Sequence, residues 1–231
     1  MEFIGIIVPI LLILTSYLLG SIPFALIVSK TFKGIDIRDY GSKNMGTTNT
    51  FRVLGFKYAL IVFLLDAFKA SIILMLFTSG LLDYQAKWMV IEVHPIFYGL
   101  AAVLGHAFPI FADFKGGKGI ACSAGIALVY CPGIFFIAIS VFLIVLLISK
   151  YVSISSIIAI GTAFVCSFFK LANGKIDWIF VIAVFVLWVL VIFLHRKNIV
   201  RIFKHEESKI DLLKLLKEKK EKKKIKEKTS N

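Results

Sequence analysis

Charged residues are scarce in this sequence. Asp, Glu, Lys and Arg make up 18% of the 231 residues, whereas hydrophobic residues make up 59%. Soluble domains average about 25% charged and about 45–50% apolar residues. One soluble domain of this length cannot hide so many apolar side chains from water. The composition therefore excludes an ordinary soluble, disordered or disulfide-scaffold protein and favours a membrane protein.

Cysteine is also rare, with only Cys122, Cys131 and Cys166 in the chain. The three form no CxxC motif, and their odd number leaves one without a partner. All three lie within or beside apolar runs. We therefore predict that they fill space as small apolar side chains, with no disulfide and no metal role.

Long apolar runs dominate what remains. A transmembrane helix needs about 20 apolar residues, and such runs cover 3–29, 58–82 (interrupted by Asp66 and Lys69), 93–112, 119–149, 151–169 and 178–194. The fourth run is too long for one helix, and Cys131-Pro132-Gly133 predicts a tight turn within it. We predict an all-α polytopic membrane protein with seven transmembrane helices in residues 1–207, then a Lys-rich cytoplasmic tail over 208–231.

The basic residues fix the predicted orientation. Seven spans put the termini on opposite sides, and an outer N-terminus gives 23 Lys/Arg in cytoplasmic segments against 3 in outer ones. Without the tail the bias is still 9 to 3. The positive-inside rule therefore predicts an outer N-terminus and a cytoplasmic C-terminus. The net charge of +13 suits an anionic lipid surface, and no nucleic-acid-binding motif accompanies it, so nucleic acid is not a predicted partner.

Polar residues gather in three segments, 20–55, 105–119 and 195–207, which this topology places on the cytoplasmic side. The run GSKNMG (41–46) offers backbone amides, a hydroxyl and a cation suited to an anion-binding nest. The run KGGKG (115–119) directly precedes an apolar helix, whose N-terminus favours anions. It is not a Walker A loop, because Gly119 replaces the required Ser/Thr. Several arginines add bidentate donors. We predict a site for two phosphate groups, with no metal and no cofactor.

Plainer interpretations remain open for several of these residues. Ser21 is equally consistent with helix packing, and His106 with an interfacial histidine. Asp66 and Lys69 lie three residues apart and can neutralise each other. Asp66 is nevertheless retained as a candidate that acts through its neighbours. Basic cytoplasmic loops often serve topology alone, although that does not explain the Gly, Asn, Ser and Thr mixed into them.

Three motifs together carry a family resemblance. They are GSIPFALIVSK…GIDIRDYGSKNMGTTN, GHAFPIFADFKGGKGIA and HRKNIVRIFKHEE, in that order over residues 19–207. The chain thereby resembles the bacterial acyl-phosphate:glycerol-3-phosphate acyltransferases, small seven-span enzymes of the plasma membrane. Lys43 and His205 stand where that family usually has Gly, and Thr47 where it usually has Ala.

The resemblance implies transfer of a fatty acyl group from acyl phosphate to the sn-1 hydroxyl of glycerol 3-phosphate. The products are lysophosphatidic acid and inorganic phosphate, in the first committed step of bacterial phospholipid synthesis. The expected partners are both substrates and membrane lipid, with the active site at the cytoplasmic face. The oligomeric state is not predicted.

The resemblance also implies residue roles. The predicted catalytic residues are Ser21, Arg38, His106, Asn198 and Glu207. The predicted substrate-binding residues are Ser42, Lys43, Asn44, Gly46, Thr47, Thr48, Asn49, Arg52, Lys115, Gly116, Gly117, Lys118 and Arg201. Within that set, the first motif is expected to cradle acyl phosphate and the second to hold glycerol phosphate. His106 is either a general base or a group that only orients, with the proton passing to the acyl phosphate itself.

Other function classes fit less well. The His-x-x-x-x-Asp pair of cofactor-A-dependent acyltransferases is absent, because no histidine here is followed five residues later by Asp. Asp36 and Asp39 form a DxxD without the second carboxylate cluster of metal-dependent phosphotransferases. A membrane transporter of a phosphorylated metabolite is the main alternative, although the polar residues gather at one face without an internal repeat. A non-catalytic membrane scaffold with a basic tail is a further possibility.

Overall fold

The computed structural model describes residues 2–83, 90–169, 171–172 and 175–211, and they are predominantly helical. The helices are α1 Glu2–Gly20, α2 Phe24–Lys33, α3 Thr47–Leu54, α4 Phe56–Thr78, α5 Ile96–Ala107, α6 Ile120–Tyr130, α7 Pro132–Ser149, α8 Val152–Ser167, α9 Trp178–Leu194 and α10 Arg196–Phe203. Two 3₁₀ turns cover Ile37–Asp39 and Ile110–Ala112. The strands β1 Leu171–Ala172 and β2 Lys175–Ile176 form an antiparallel hairpin. Most of the predicted tail, residues 212–231, lies outside the described residues.

The first apolar run forms two helices rather than one. The helical hydrogen bonds stop at Ser21–Pro23, because Pro23 has no N–H and its ring disfavours a continuous helix. The break leaves the Ile22 carbonyl without a helical donor, and Lys69 Nζ from α4 donates to it at 2.7 Å. A lysine inside an apolar helix is thus explained in part by the carbonyl that it satisfies.

The predicted turn in the fourth run is confirmed. α6 ends at Tyr130, and Pro132 is the first residue of α7. A helix tolerates proline there because that residue's N–H would have no helical acceptor. The long apolar run is therefore divided into two helices by local sequence.

Helix lengths bear on the number of membrane spans. Among the described residues, three helical stretches are long and apolar enough to cross a bilayer, namely Phe3–Lys33, Phe56–Thr78 and Pro132–Ser149. The bent pair of α9 and α10 makes a fourth if it counts as one span. The shorter α5, α6 and α8 complete the seven predicted apolar segments, and all seven are helical. The seven-span count and the orientation stay predictions.

Glycines allow the closest helix contacts. A Cβ at Gly105 of α5 would lie 2.1 Å from the Tyr17 carbonyl oxygen of α1. A Cβ at Gly125 of α6 would lie 2.2 Å from the Ala67 carbonyl oxygen of α4. Small residues let helix backbones approach in this way when apolar surroundings provide little drive for association.

Five of the helices, α5 to α9, pack in a ring. α5 packs against α6, α6 against α7, α7 against α8, α8 against α9, and α9 against α5. At the end of α9 the chain bends by 53° into α10. Residues 209–211 then run along the α7–α8 turn, where the Ile210 N–H donates to the Lys150 carbonyl oxygen at 2.8 Å.

Candidate active site

A polar cavity of about 250 Å³ lies where the three polar segments meet. The first segment contributes the loop before α3 and the first turn of α3. The second segment contributes the residues at the start of α6. The third segment contributes the start of α10 and the chain that follows α10. The predicted residues that line it are Ser42, Asn44, Gly46, Thr47, Thr48, Asn49, Arg52, His106, Lys118, Asn198 and Glu207. Asp66 also lines the cavity. Residues up to 165 positions apart in the sequence are thus brought to one site.

Asn49 holds the first loop in shape. Its side-chain oxygen accepts from the Ser42 N–H at 2.8 Å, and its amide donates to the carbonyls of Tyr40 (3.0 Å) and Ile37 (3.2 Å). Asn49 is almost fully buried. The side-chain hydrogen bonds of Asn49 therefore all go to the backbone of the first loop. Asn49 positions this loop rather than contacting a ligand itself.

The N-terminus of α3 borders the cavity. Gly46 is the residue before the helix, and Thr47 and Thr48 form its first turn. The first amides of a helix have no acceptors within it, and together with the helix dipole they favour an anion. Thr47 Oγ1 is buried and has no hydrogen-bond partner among the described residues. This end of the cavity is therefore built from donors.

The second loop is fixed by close contact with His106. The Gly117 N–H donates to the His106 carbonyl oxygen at 3.0 Å. A Cβ at Gly117 would lie 2.0 Å from His106 Nε2, and one at Gly116 would lie 2.1 Å from the His106 carbonyl oxygen. Both positions therefore require glycine. Asn44 Nδ2 joins the two loops by donating to the Gly116 carbonyl oxygen at 3.4 Å.

Behind these loops lies a buried polar cluster. Asp66 Oδ1 lies 2.7 Å from Lys69 Nζ and 3.5 Å from His106 Nδ1. The thiol of Cys122 contacts the Asp66 carbonyl oxygen at 3.3 Å. One ring nitrogen of His106 thus faces a carboxylate, and the other lies against the glycine loop. This arrangement suits a histidine that positions the loop.

Another wall of the cavity carries a chain of polar contacts. Lys118 Nζ donates to Asn198 Oδ1, and Asn198 Nδ2 donates to Glu207 Oε1 at 2.7 Å. Arg201 Nε donates to Glu207 Oε2 at 2.9 Å, and Arg52 Nη2 lies 3.8 Å from Glu207 Oε1. Burial lowers the pKa of Lys118 to about 8, although the Glu207 carboxylate partly offsets this. Three cations and one carboxylate give this wall a net positive charge.

The turn that returns Glu207 to the site contains His205. His205 has φ +58°, in the left-handed region that favours glycine, and Glu207 is buried beyond it. Lys43 in the first loop has φ +59°. The two positions at which the chain lacks the expected glycine thus keep a left-handed backbone.

Several predicted residues do not line the cavity. Ser21 is buried and its hydroxyl donates to the Tyr17 carbonyl oxygen at 2.9 Å. Arg38 forms a bidentate pair with Asp36 (3.0 and 2.8 Å), which lowers the pKa of Asp36 to about 2. Lys43 and Lys115 are exposed. Gly116, Gly117 and Arg201 support cavity residues without lining the cavity themselves.

Other cavity residues were missed by sequence reasoning. They are Phe63, Gly119, Ile120, Ala121, Phe142, Val152, Ser153, Ser156 and His195. Ser153 Oγ and Arg52 Nε are buried without a hydrogen-bond partner among the described residues. Burial, together with the charge of Lys118, lowers the pKa of His195 to about 4. The only available signals were a serine-rich stretch at the start of α8 and the position of His195 within the third motif.

A second, apolar cavity of about 100 Å³ lies inside the ring of five helices. It shares Ile120, Phe142 and Ser156 with the polar cavity. Apart from two serines and a cysteine, its lining residues are apolar. The polar cavity and the apolar cavity therefore meet inside the helix bundle.

Apolar helices surround a cationic, donor-rich cavity whose chemistry suits an anion, an arrangement typical of a membrane protein that acts on an anionic substrate. Residues 10–205 match the glycerol-3-phosphate acyltransferase family. A glycerol-3-phosphate acyltransferase of Bacillus cytotoxicus is 46% identical over 205 residues, covering 88% of this chain and 96% of the relative. One of Listeria monocytogenes is 44% identical over 201 residues, covering 87% and 96%. The chain belongs to the glycerol-3-phosphate acyltransferase family.

Solved structures agree with this assignment. The crystal structure of PlsY, an integral membrane glycerol 3-phosphate acyltransferase, in its glycerol 3-phosphate form has a TM-score of 0.77 and 36% identity, covering 90% of this chain and 98% of that one. Its lysophosphatidic acid form has a TM-score of 0.76 and 35% identity. Family and apolar helices together identify a multi-pass membrane protein.

Proposed function

We propose that this protein transfers a fatty acyl group from acyl phosphate to the sn-1 hydroxyl of glycerol 3-phosphate at the cytoplasmic face of the bacterial plasma membrane. The observation that carries the proposal is the meeting of a cationic polar cavity with an apolar one. A substrate with a phosphate head and a hydrocarbon chain matches that pair of cavities. The second substrate needs only the polar part.

The chemistry requires no covalent enzyme intermediate, because an acyl phosphate is already activated. The sn-1 oxygen of glycerol 3-phosphate attacks the acyl carbonyl carbon, and the bond from that carbon to the phosphate oxygen breaks. The hydroxyl proton passes to the leaving phosphate, which departs as inorganic phosphate. The ester product is lysophosphatidic acid. The enzyme's contribution is to hold two anions in reacting geometry and to stabilise the charge that develops.

The cavity residues divide between the two substrates in this proposal. The first loop and the N-terminus of α3 hold the acyl phosphate, through Ser42, Thr47, Thr48 and the amides near them. Lys118 holds the phosphate of glycerol 3-phosphate, with Arg52 beside it. The charge-assisted bond of a lysine to phosphate is worth about 1.5–3 kcal/mol. We expect Lys118→Ala to raise the KM for glycerol 3-phosphate roughly tenfold or more, with little change in the KM for acyl phosphate. The reverse pattern contradicts the division.

His106 acts by positioning the glycine loop in this proposal, and the acyl phosphate takes the proton. The support is geometric, since Asp66 and Gly117 occupy the two sides of the imidazole. We expect His106→Gln to keep a kcat within about tenfold of the parent value, because general-base catalysis contributes about 10²–10⁴-fold. A larger loss of kcat with both KM values unchanged assigns the general-base role to His106.

The deciding experiment is an assay of the purified protein with palmitoyl phosphate and glycerol 3-phosphate. Phosphate release and lysophosphatidic acid are measured together, so that simple hydrolysis is distinguished from transfer. Palmitoyl-cofactor A in place of palmitoyl phosphate serves as the donor control. Activity with the cofactor A ester alone rejects the donor assignment, and release of phosphate without the lipid product rejects transfer.

A further inference from the structure

The apolar cavity has a defined direction. Its polar end is where Ile120 and Phe142 also border the polar cavity. Along α6 its lining continues from Ile120 to Cys131, which is roughly 16 Å at 1.5 Å per residue. One leaflet of a bilayer core measures about 15 Å, half of about 30 Å. The lining of the cavity therefore extends over about the thickness of one leaflet.

Phe180 lies at the far end of this cavity. It belongs to the first turn of α9, opposite the end of α6, and only 4% of its surface is exposed. Ile96, at the start of α5, and Ile134, in the first turn of α7, also line this end. Four helices thus bring their ends together here, and Phe180 is the largest of these three side chains.

The position of Phe180 is fixed from behind. Its ring centroid lies 5.1 Å from that of Tyr130. Tyr130 Oη lies 3.1 Å from His94 Nε2 and 3.3 Å from Asp177 Oδ2. Asp177 Oδ1 in turn accepts from the Phe180 N–H at 3.0 Å. A hydrocarbon chain that passed Phe180 would have to displace hydrogen-bonded polar groups, which is unfavourable.

We propose that Phe180, supported by Tyr130, His94 and Asp177, closes the acyl-chain cavity and thereby limits the length of the fatty acyl group that the enzyme accepts. The inference rests on the proposed function, since it assigns the apolar cavity to the chain of the acyl phosphate. Each methylene buried beyond the present limit changes an equilibrium constant roughly fourfold. Space for two more methylenes therefore changes the preference for the longer acyl phosphate by about tenfold or more.

The test is a competition assay with an equimolar mixture of myristoyl, palmitoyl, stearoyl and arachidoyl phosphate plus glycerol 3-phosphate. Mass spectrometry of the lysophosphatidic acids gives the chain-length distribution, a ratio that does not depend on the fraction of folded enzyme. Phe180→Ala is expected to shift the distribution towards stearoyl and arachidoyl by about tenfold relative to the parent protein. Ala159→Leu, which narrows the cavity between its two ends, is expected to shift it towards myristoyl.

The matched control is Phe185→Ala. Phe185 lies on the same helix, is 45% exposed and does not line the cavity, so its removal should leave the distribution unchanged. Phe180→Leu replaces Phe180→Ala if the larger truncation prevents folding. A parent-like distribution from an active Phe180 variant, or from Ala159→Leu, overturns the inference. A parent protein that makes no lysophosphatidic acid from any acyl phosphate instead overturns the proposed function.

Discussion

Lys118 is a residue whose charge depends on its surroundings. Its ammonium group is partly buried beside Asn198, with Arg52 and Arg201 nearby, and its pKa falls to about 8. Above that pH the free enzyme loses the cation that we assign to glycerol 3-phosphate. We expect kcat/KM for glycerol 3-phosphate to fall as pH rises through about 8, because kcat/KM reports the ionisation of the free enzyme. A rate profile between pH 6.5 and 9.5, spanning about 1.5 units on either side, measures this.

Lys118→Arg provides the control for that profile, since a guanidinium stays charged over the whole range. Its alkaline fall should disappear or move to higher pH, even if its maximal activity is lower. Stability should respond in the opposite direction. The folded-state pKa lies below the unfolded value of 10.5. Between these two pH values the unfolded chain binds more protons than the folded one, so the contribution of Lys118 to the free energy of unfolding rises with pH. An unchanged alkaline fall in Lys118→Arg contradicts the assignment.

His205 carries a backbone conformation that costs free energy. A left-handed φ is unfavourable by about 1–2 kcal/mol for an L-residue other than glycine. We expect His205→Gly to raise the free energy of unfolding by about 1 kcal/mol, because glycine adopts this φ readily but loses more entropy on folding. Thermal unfolding in detergent, followed by circular dichroism, measures the change.

Lys204→Gly is the comparison for that measurement. Lys204 is adjacent in sequence, and its φ of −85° is ordinary for any residue. Glycine there should leave stability unchanged or reduce it. If both glycine variants raise stability equally, the left-handed conformation of His205 is not the cause.

At the scale of elements, the loop between α5 and α6 depends on close backbone contact. A Cβ at Gly116 would meet the carbonyl oxygens of His106 and Ala107 at 2.1 and 2.5 Å. Backbone atoms cannot move aside without shifting the helix end, so Gly116→Ala should displace the loop. We expect the KM for glycerol 3-phosphate to rise by at least about tenfold, since a displacement of about 1 Å can cost 10²-fold. Steady-state kinetics with each substrate varied in turn measure this.

Gly133→Ala is the matched control for the loop. A Cβ at Gly133 meets nothing within 4 Å, and the residue lies in the first turn of α7. Alanine also has the better helix propensity, so this variant should be as active and as stable as the parent. Equal kinetic losses in both variants argue against loop displacement as the cause.

The two helix breaks differ in how well the sequence predicts them. The turn at Cys131–Gly133 follows from local rules, because an apolar run of 31 residues is too long for one span and contains Pro next to Gly. The break at Pro23 was not predicted, since a run of 27 residues fits one tilted helix. Lys69 of α4 stabilises that break, because its ammonium group donates a hydrogen bond to the Ile22 carbonyl oxygen.

At the scale of the whole molecule, the orientation in the membrane is open to a direct test. We expect a cysteine at Ser79, after α4, to lie outside and a cysteine at Phe203, at the end of α10, to lie in the cytoplasm. The three native cysteines are replaced by alanine first. A membrane-impermeant maleimide applied to intact cells should then label Ser79→Cys and not Phe203→Cys, whereas permeabilised cells should show both.

The same labelling tests the span count. Gly133 in the α6–α7 turn should be accessible from outside if α6 crosses the membrane, and Lys150 in the α7–α8 turn should not. Labelling of Gly133→Cys from the cytoplasmic side alone would mean that the short helix α6 does not cross. The prediction of seven spans would then be wrong, whereas the helical fold would stand.

The sequence by itself determined the membrane class, most helices and the set of candidate site residues. Apolar runs and their charge distribution are local properties, because a bilayer leaves a backbone few alternatives to the helix. The motifs likewise identified Lys118, Asn198 and Glu207 without reference to any contact.

Only the tertiary structure decided which of those residues share a cavity. It placed the Ser21 hydroxyl on the Tyr17 carbonyl and Arg38 against Asp36 and Asp113. It also brought into the cavity Ser153 and His195, which were not predicted as site residues. It also gave Phe180 its position opposite α6, which no spacing along the chain reveals. The physical reason is that helix packing, and not sequence distance, fixes which side chains meet when every helix is apolar on most of its surface.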